Sequence, residues 1–99
     1  MSSWRKLLWQ MRGDSDPRNY KYNDAARVLR ALGFQLAQSK PNGSHRVWRR
    51  PPPAGNISGA LIVELVEKGH GTVKPVYIRT MIRTLDKAGL IPSDEAGDD

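Results

Sequence analysis

The chain contains no cysteine, which excludes a disulfide framework and a cysteine-based metal site and suits a reducing compartment. It has no apolar run near the ~18 residues that a membrane-spanning helix needs. The opening segment Met1-Ser2-Ser3-Trp4-Arg5-Lys6-Leu7-Leu8-Trp9 lacks the long apolar stretch and small-residue cleavage site of a signal peptide. The expected location is the cytoplasm, with no membrane partner. A Gly-rich phosphate loop, a His or Cys cluster with zinc spacing and a carboxylate pair near either histidine are also missing. No metal, cofactor or other small-molecule group is therefore expected. Acid is scarce over most of the length. Of ten Asp and Glu, four (Asp94, Glu95, Asp98, Asp99) fall in the last six residues, so residues 1–93 set sixteen cations against six acids.

What is present is one small domain's worth of sequence, 99 residues with 38% hydrophobic content, enough for a modest core. The formal charge is +6, rising to +10 without the acidic end. A compact domain that basic points to a polyanion, most often nucleic acid, or to an acidic protein. Residues 93–99 read as a disordered, self-screening acidic tail.

Periodicity divides the rest. Trp4, Leu7, Leu8 and Met11 repeat at helical spacing over residues 4–12, with Ser3 as N-cap and Gly13 as stop. A helix that short is marginal alone, so packing on the domain is expected ahead of contact with a partner or a membrane surface. Residues 14–22 form a linker, giving a division into 1–22 (helix and linker) and 23–92 (main domain). Asn23 is the expected N-cap of a second helix whose stripe is Ala25, Val28, Leu29 and Leu32, closed by Gly33 with Phe34 as its apolar contact. The period then falls to two. Residues 34–40 make a strand with Phe34 and Leu36 on one face, Pro41-Asn42-Gly43 a turn, and residues 46–50 a second strand. If Trp48 is buried, His45, Val47 and Arg49 lie on the opposite, wetter face. The Pro- and Gly-rich stretch 51–59 is a loop. A third strand over 60–67 turns Leu61, Val63 and Leu65 toward the helices and Glu64 away from them, and Lys68–Gly71 is a turn. A last helix runs from Pro75 to Ala88, with Ile78, Met81, Ile82, Leu85 and Ala88 as its stripe. Gly89, Leu90 and Pro92 end it. The order predicts an α+β architecture, a three-stranded antiparallel meander with helices on one face and an extra helix at the N-terminus.

Chemistry concentrates at Gly43-Ser44-His45, which runs into Arg46-Val47-Trp48-Arg49-Arg50. Histidine exchanges a proton near neutral pH, and arginine presents a planar fork to phosphate oxygens. A surface turn followed by a charged edge strand would contain the same residues. Ser44 is adjacent to His45 in sequence, a poor geometry for a nucleophile–base pair. His70, between two glycines, reads as part of a surface loop. Arg79, Arg83 and Lys87 form a cationic row on the last helix, a solvated face or a polyanion contact. Lys74 stands where that helix's free N–H groups could join it in holding a phosphate.

Leu32-Gly33-Phe34, Gly43-Ser44-His45, Lys74-Pro75 and Ala88-Gly89-Leu90 occur together in one order and spacing. This pattern, covering roughly residues 22–91, resembles the HicA (YcfA-like) toxin family. The resemblance implies a fold like a double-stranded-RNA-binding domain. It also implies metal-independent endoribonuclease activity on mRNA, a stress-response toxin, and neutralisation by a HicB-like antitoxin covering the active site. The family's catalytic histidine carries over to His45. The chain departs from the family in its extra N-terminal helix and in having Glu64-Leu65-Val66 where a proline often ends the third strand. RNA brings its own 2′-hydroxyl nucleophile, so such a site needs a proton acceptor, a proton donor and positive charge. Gly43 would allow close backbone approach, Ser44 would donate to a phosphate oxygen, and Lys40, Arg46 and Arg49 are the expected clamps. Lys74, Arg79 and Arg83 complete the RNA-contacting set. A non-catalytic RNA-binding module and an adaptor docking an acidic protein are the competing expectations.

Overall fold

A computed structural model describes residues 3–39, 45–52 and 59–92, with the backbone alone for Gln38, Ser39 and His70. The expected turn at 41–43, with Lys40, Gly43 and Ser44, lies outside the described residues. So do most of the Pro-rich loop, the acidic tail and the His70 side chain.

Three helices and four strands are present among the described residues. In chain order they are α1 (Trp4–Gly13), α2 (Tyr22–Ala31), β1 (Gln35–Ser39), β2 (His45–Arg50), β3 (Leu61–Lys68), β4 (Thr72–Val73) and α3 (Pro75–Lys87). The strands form one antiparallel sheet in the order β1-β2-β3-β4. The protein is α+β, as its periodicities predict, with one strand more than expected. The addition, β4, is a two-residue strand too short to show a period. A 3₁₀ turn over Gly69–Gly71 reverses the chain, and Gly71 at φ 77° supplies a left-handed backbone that most side chains resist. Thr72 and Val73 then pair with Lys68 and Glu67.

This added strand also moves the start of α2. The helix begins at Tyr22 with Lys21 as N-cap and no side-chain cap bond, so Asn23 lies inside it and is not the cap. Lys21 is held extended because it bridges Thr72, while the Val73 N–H donates to the Tyr20 carbonyl at 2.9 Å. A tertiary strand contact therefore replaces the local side-chain cap.

The helix ends follow local chemistry. At the end of α2 the Phe34 N–H reaches the Leu29 carbonyl at 2.9 Å and the Gly33 N–H reaches Arg30 at 3.0 Å, with Gly33 at φ 93°. At the end of α3 the Leu90 N–H reaches Leu85 and the Gly89 N–H reaches Asp86, both at 3.0 Å. Both are the paired closure in which a left-handed residue satisfies the last carbonyls. The Ser3 hydroxyl caps α1 by accepting from the Arg5 N–H at 3.0 Å.

One core joins all three helices to one face of the sheet. It includes Leu8 and Met11 of α1, Val28 and Leu29 of α2, Trp48, Val63 and Leu65 of the strands, and Ile78, Met81 and Leu85 of α3. Residues 4–22 are thus packed into the same core as the main domain, since Leu8 is fully buried and Tyr20 belongs to the cluster. Leu36, expected on the same strand face as Phe34, is opposite Trp48 but 47% exposed, whereas Phe34 is buried. It sits on the edge strand, whereas α3 packs mainly on β3. A register shift between Leu36 and Gln38 further interrupts the alternation of β1.

Candidate functional site

Strand alternation determines which face each candidate occupies. Trp48 is 1% exposed and stands opposite Val63, which commits even-numbered residues of β2 to the helix side. His45, Val47 and Arg49 then share the outer face with Ile62 and Glu64 of β3, and His45, Arg49, Ile62 and Glu64 are exposed. Val66 is on that face by alternation but is buried, where its carbonyl accepts from the Lys74 N–H at 2.9 Å.

His45 faces Val66 across the ladder and Glu64 faces Val47, so His45 and Glu64 are diagonal neighbours. Their side chains meet, with His45 Nδ1 and Glu64 Oε2 2.8 Å apart and the two side chains 46% and 44% exposed. A carboxylate only accepts, so the neutral ring placed against it carries its proton on Nδ1 and leaves its lone pair on Nε2. Nε2 has no partner among the described residues. A half-exposed pair of this kind contributes about 0–1 kcal/mol to stability. Its consequence is orientation of the ring. Glu64 escaped the sequence reading as a partner. The alternation placed it on the outer face, but only the register brings it to His45.

The cations separate into groups. Arg49 is exposed on the His45 face. Lys74 also belongs to this end of the sheet, because Val66 pairs with His45 on one side and with the Lys74 backbone on the other. Two strand spacings, on the order of 10 Å, separate those backbones. Lys74 is exposed and directly precedes the first turn of α3.

Arg46, expected as a clamp beside His45, points to the opposite face. Its guanidinium is ion-paired with Glu67 and lies 4.5 Å from the centroid of the Tyr22 ring. The strict two-residue period of β2 forces this, as neighbouring side chains cannot share a face. Arg50 is also on the helix side, donating from Nε to the Leu32 carbonyl at 2.8 Å and tying β2 to the end of α2. Arg79 and Arg83 are exposed on the helix layer, on the other side of the sheet from His45, and Arg79 donates to the Ser15 carbonyl. The structure therefore joins His45 to Glu64 and places Arg49 on the same face four residues further along β2, about 13 Å by strand rise. Lys74 starts at the His45 end of the sheet, while Arg46, Arg79 and Arg83 lie on the other side.

Among the described residues, no helix is long and apolar enough to cross a membrane. No family model, curated protein or solved structure matches the chain.

Proposed function

We propose that the protein is an RNA-cleaving toxin of the HicA (YcfA-like) kind, a metal-independent endoribonuclease on a fold like a double-stranded-RNA-binding domain. It would act on mRNA in the cytoplasm and be held in check by a HicB-like antitoxin over the His45 face. The observation that carries this reading is the exposed His45–Glu64 pair on the outer face of the sheet, a face it shares with Arg49. The motif pieces Leu32-Gly33-Phe34, Gly43-Ser44-His45, Lys74-Pro75 and Ala88-Gly89-Leu90 support it from the sequence.

In this mechanism the RNA 2′-oxygen attacks the neighbouring phosphorus as Nε2 of His45 takes its proton. The bond from phosphorus to the 5′-oxygen breaks, leaving a 2′,3′-cyclic phosphate and a 5′-hydroxyl. The imidazolium can return the proton to the departing oxygen. Glu64 holds the ring in the tautomer that has the lone pair available, Lys74 at the same end of the sheet would offset charge on the phosphorane, and Arg49, further along the face, would hold a neighbouring phosphate.

The test is cleavage of a defined mRNA by purified protein in the presence of a chelator. Wild type is expected to produce cyclic-phosphate ends. His45→Ala is expected to lose roughly 10²-fold or more in rate while retaining RNA affinity. Equal cleavage by His45→Ala would overturn the assignment. The exposed row Arg79, Arg83 and Lys87, remote from His45, favours a second reading, a binding module without chemistry. Wild type that binds RNA and never cuts it would establish that reading instead.

A further inference from the structure

On the helix side of the sheet, at the end where His45 begins β2, lies a cleft of about 340 Å³ lined by Lys21, Tyr22, Asn23, Arg46, Glu67 and Gly71. That is the size of a small-ligand pocket. In its wall Arg46 lies over the Tyr22 ring, and behind them Tyr22 packs at a tilt of 43° against Trp48, 6.5 Å between ring centroids. Glu67 fixes the guanidinium through Oε1. The other carboxylate oxygen, Oε2, lies beside Gly71, 3.9 Å from where a Cβ would stand, and has no hydrogen-bond partner among the described residues. Glu67 and Gly71 both line the cleft, so this oxygen borders it.

We propose that this cleft is a guanine-selective subsite for a base flanking the cleaved linkage of single-stranded RNA. The proposal rests on the nuclease reading above and adds to it a specificity-determining residue, Glu67. With Oε1 held by Arg46, Oε2 of Glu67 accepts and never donates, so it selects a base edge whose donors converge on one oxygen. Guanine's N1–H and 2-amino group form such an edge. Adenine places an acceptor at N1 and is repelled there. The base stacks on the Arg46 guanidinium face turned away from Tyr22, a common platform for unstacked bases, while Lys21 and Asn23 at the rim meet backbone phosphate and sugar. His45 and Arg46 are consecutive residues on opposite faces, so a strand rounding the end of the sheet reaches the cleft from the reactive phosphate.

The experiment has two arms. In the first, wild type cuts short oligoribonucleotides in which each base near the scissile linkage is varied in turn, with inosine replacing guanine in one series. Guanine at one position is expected to raise the cleavage rate about tenfold to a hundredfold over adenine, the worth of one well-placed polar base contact. Inosine, lacking the 2-amino group, is expected between them. Glu67→Gln is expected to reduce the guanine preference to within about threefold while His45-dependent cutting continues. In the second arm, His45→Ala is titrated with guanosine and adenosine monophosphates, and backbone amide shifts at Lys21–Asn23 and Gly71 are followed. Guanosine monophosphate is expected to shift those amides, and adenosine monophosphate is not. A wild type that cuts without base preference, and whose His45→Ala form shows no selective shifts, overturns the subsite while the nuclease stands. Selective shifts in a protein that never cuts RNA leave the subsite and remove the nuclease. Loss of folding in Glu67→Gln, seen by circular dichroism, transfers the decision to the titration and the inosine series, which need no substitution at Glu67.

Discussion

Removing the Glu64 carboxylate should change the chemistry of His45 and leave the fold almost untouched. Both side chains are close to half exposed, so solvent screens the 2.8 Å contact. Its loss should cost below about 1 kcal/mol of stability, the usual range for surface pairs. No apolar burial is lost, because Glu64 lies on the open face. The effect on the ring is larger. In Glu64→Ala nothing holds the proton on Nδ1, and the imidazole is free to adopt the tautomer with the proton on Nε2, which has no lone pair there. A general base is worth roughly 10²–10⁴-fold. A residue that only orients that base should account for part of this, about tenfold to a hundredfold. Glu64→Gln, whose carbonyl can still accept from Nδ1–H, should recover most of the rate. Long-range ¹⁵N–¹H correlation spectra of His45 report the tautomer directly, and single-turnover cleavage with urea melts reports the rest. A wild-type ring already in the Nε2–H tautomer, or an unchanged tautomer and rate in Glu64→Ala, would refute the assignment of Glu64.

Three further expectations concern the fold. Leu8→Ala should destabilise the whole domain by about 2–5 kcal/mol in urea denaturation, because Leu8 is fully buried in the common core; a shift confined to α1 would show that helix to be separate. Gly89→Ala should cost about 1–2 kcal/mol in the same assay, since φ is 72° and no atom lies within 4 Å of the added Cβ, leaving only the left-handed backbone penalty. Tyr20, 7% exposed, has its pKa pushed up to about 12, first by burial and then by the Asp14 carboxylate that accepts its hydroxyl at 3.1 Å. A raised pKa favours the neutral folded form. Its contribution, on the order of 2–3 kcal/mol, is full below pH ~10 and lost as pH rises from ~10 toward ~12. Tyr20→Phe should therefore lose less stability than wild type over that interval, and parallel pH profiles would show that the shift is absent.

Sequence alone determined the features written in neighbouring residues. Gly33 with Phe34, and Gly89 with Leu90, close their helices through bonds spanning three to five residues. The stripe Ile78, Met81 and Leu85 orients α3, and the alternation around Trp48 already separates His45 and Arg49 from the core. Arg46 belonged on the Trp48 side by the same alternation, yet its place in a run of cations made it look like His45's companion. Tertiary structure alone decided the pairings between distant residues. Glu64 meets His45 across nineteen positions and Glu67 meets Arg46 across twenty-one. Lys21 caps α2 only because β4 arrives beside it. The physical reason is that a period fixes which face a side chain occupies, whereas register fixes its neighbour. Register here follows from burying Trp48 against Val63 beneath the helices, a constraint that no single segment contains.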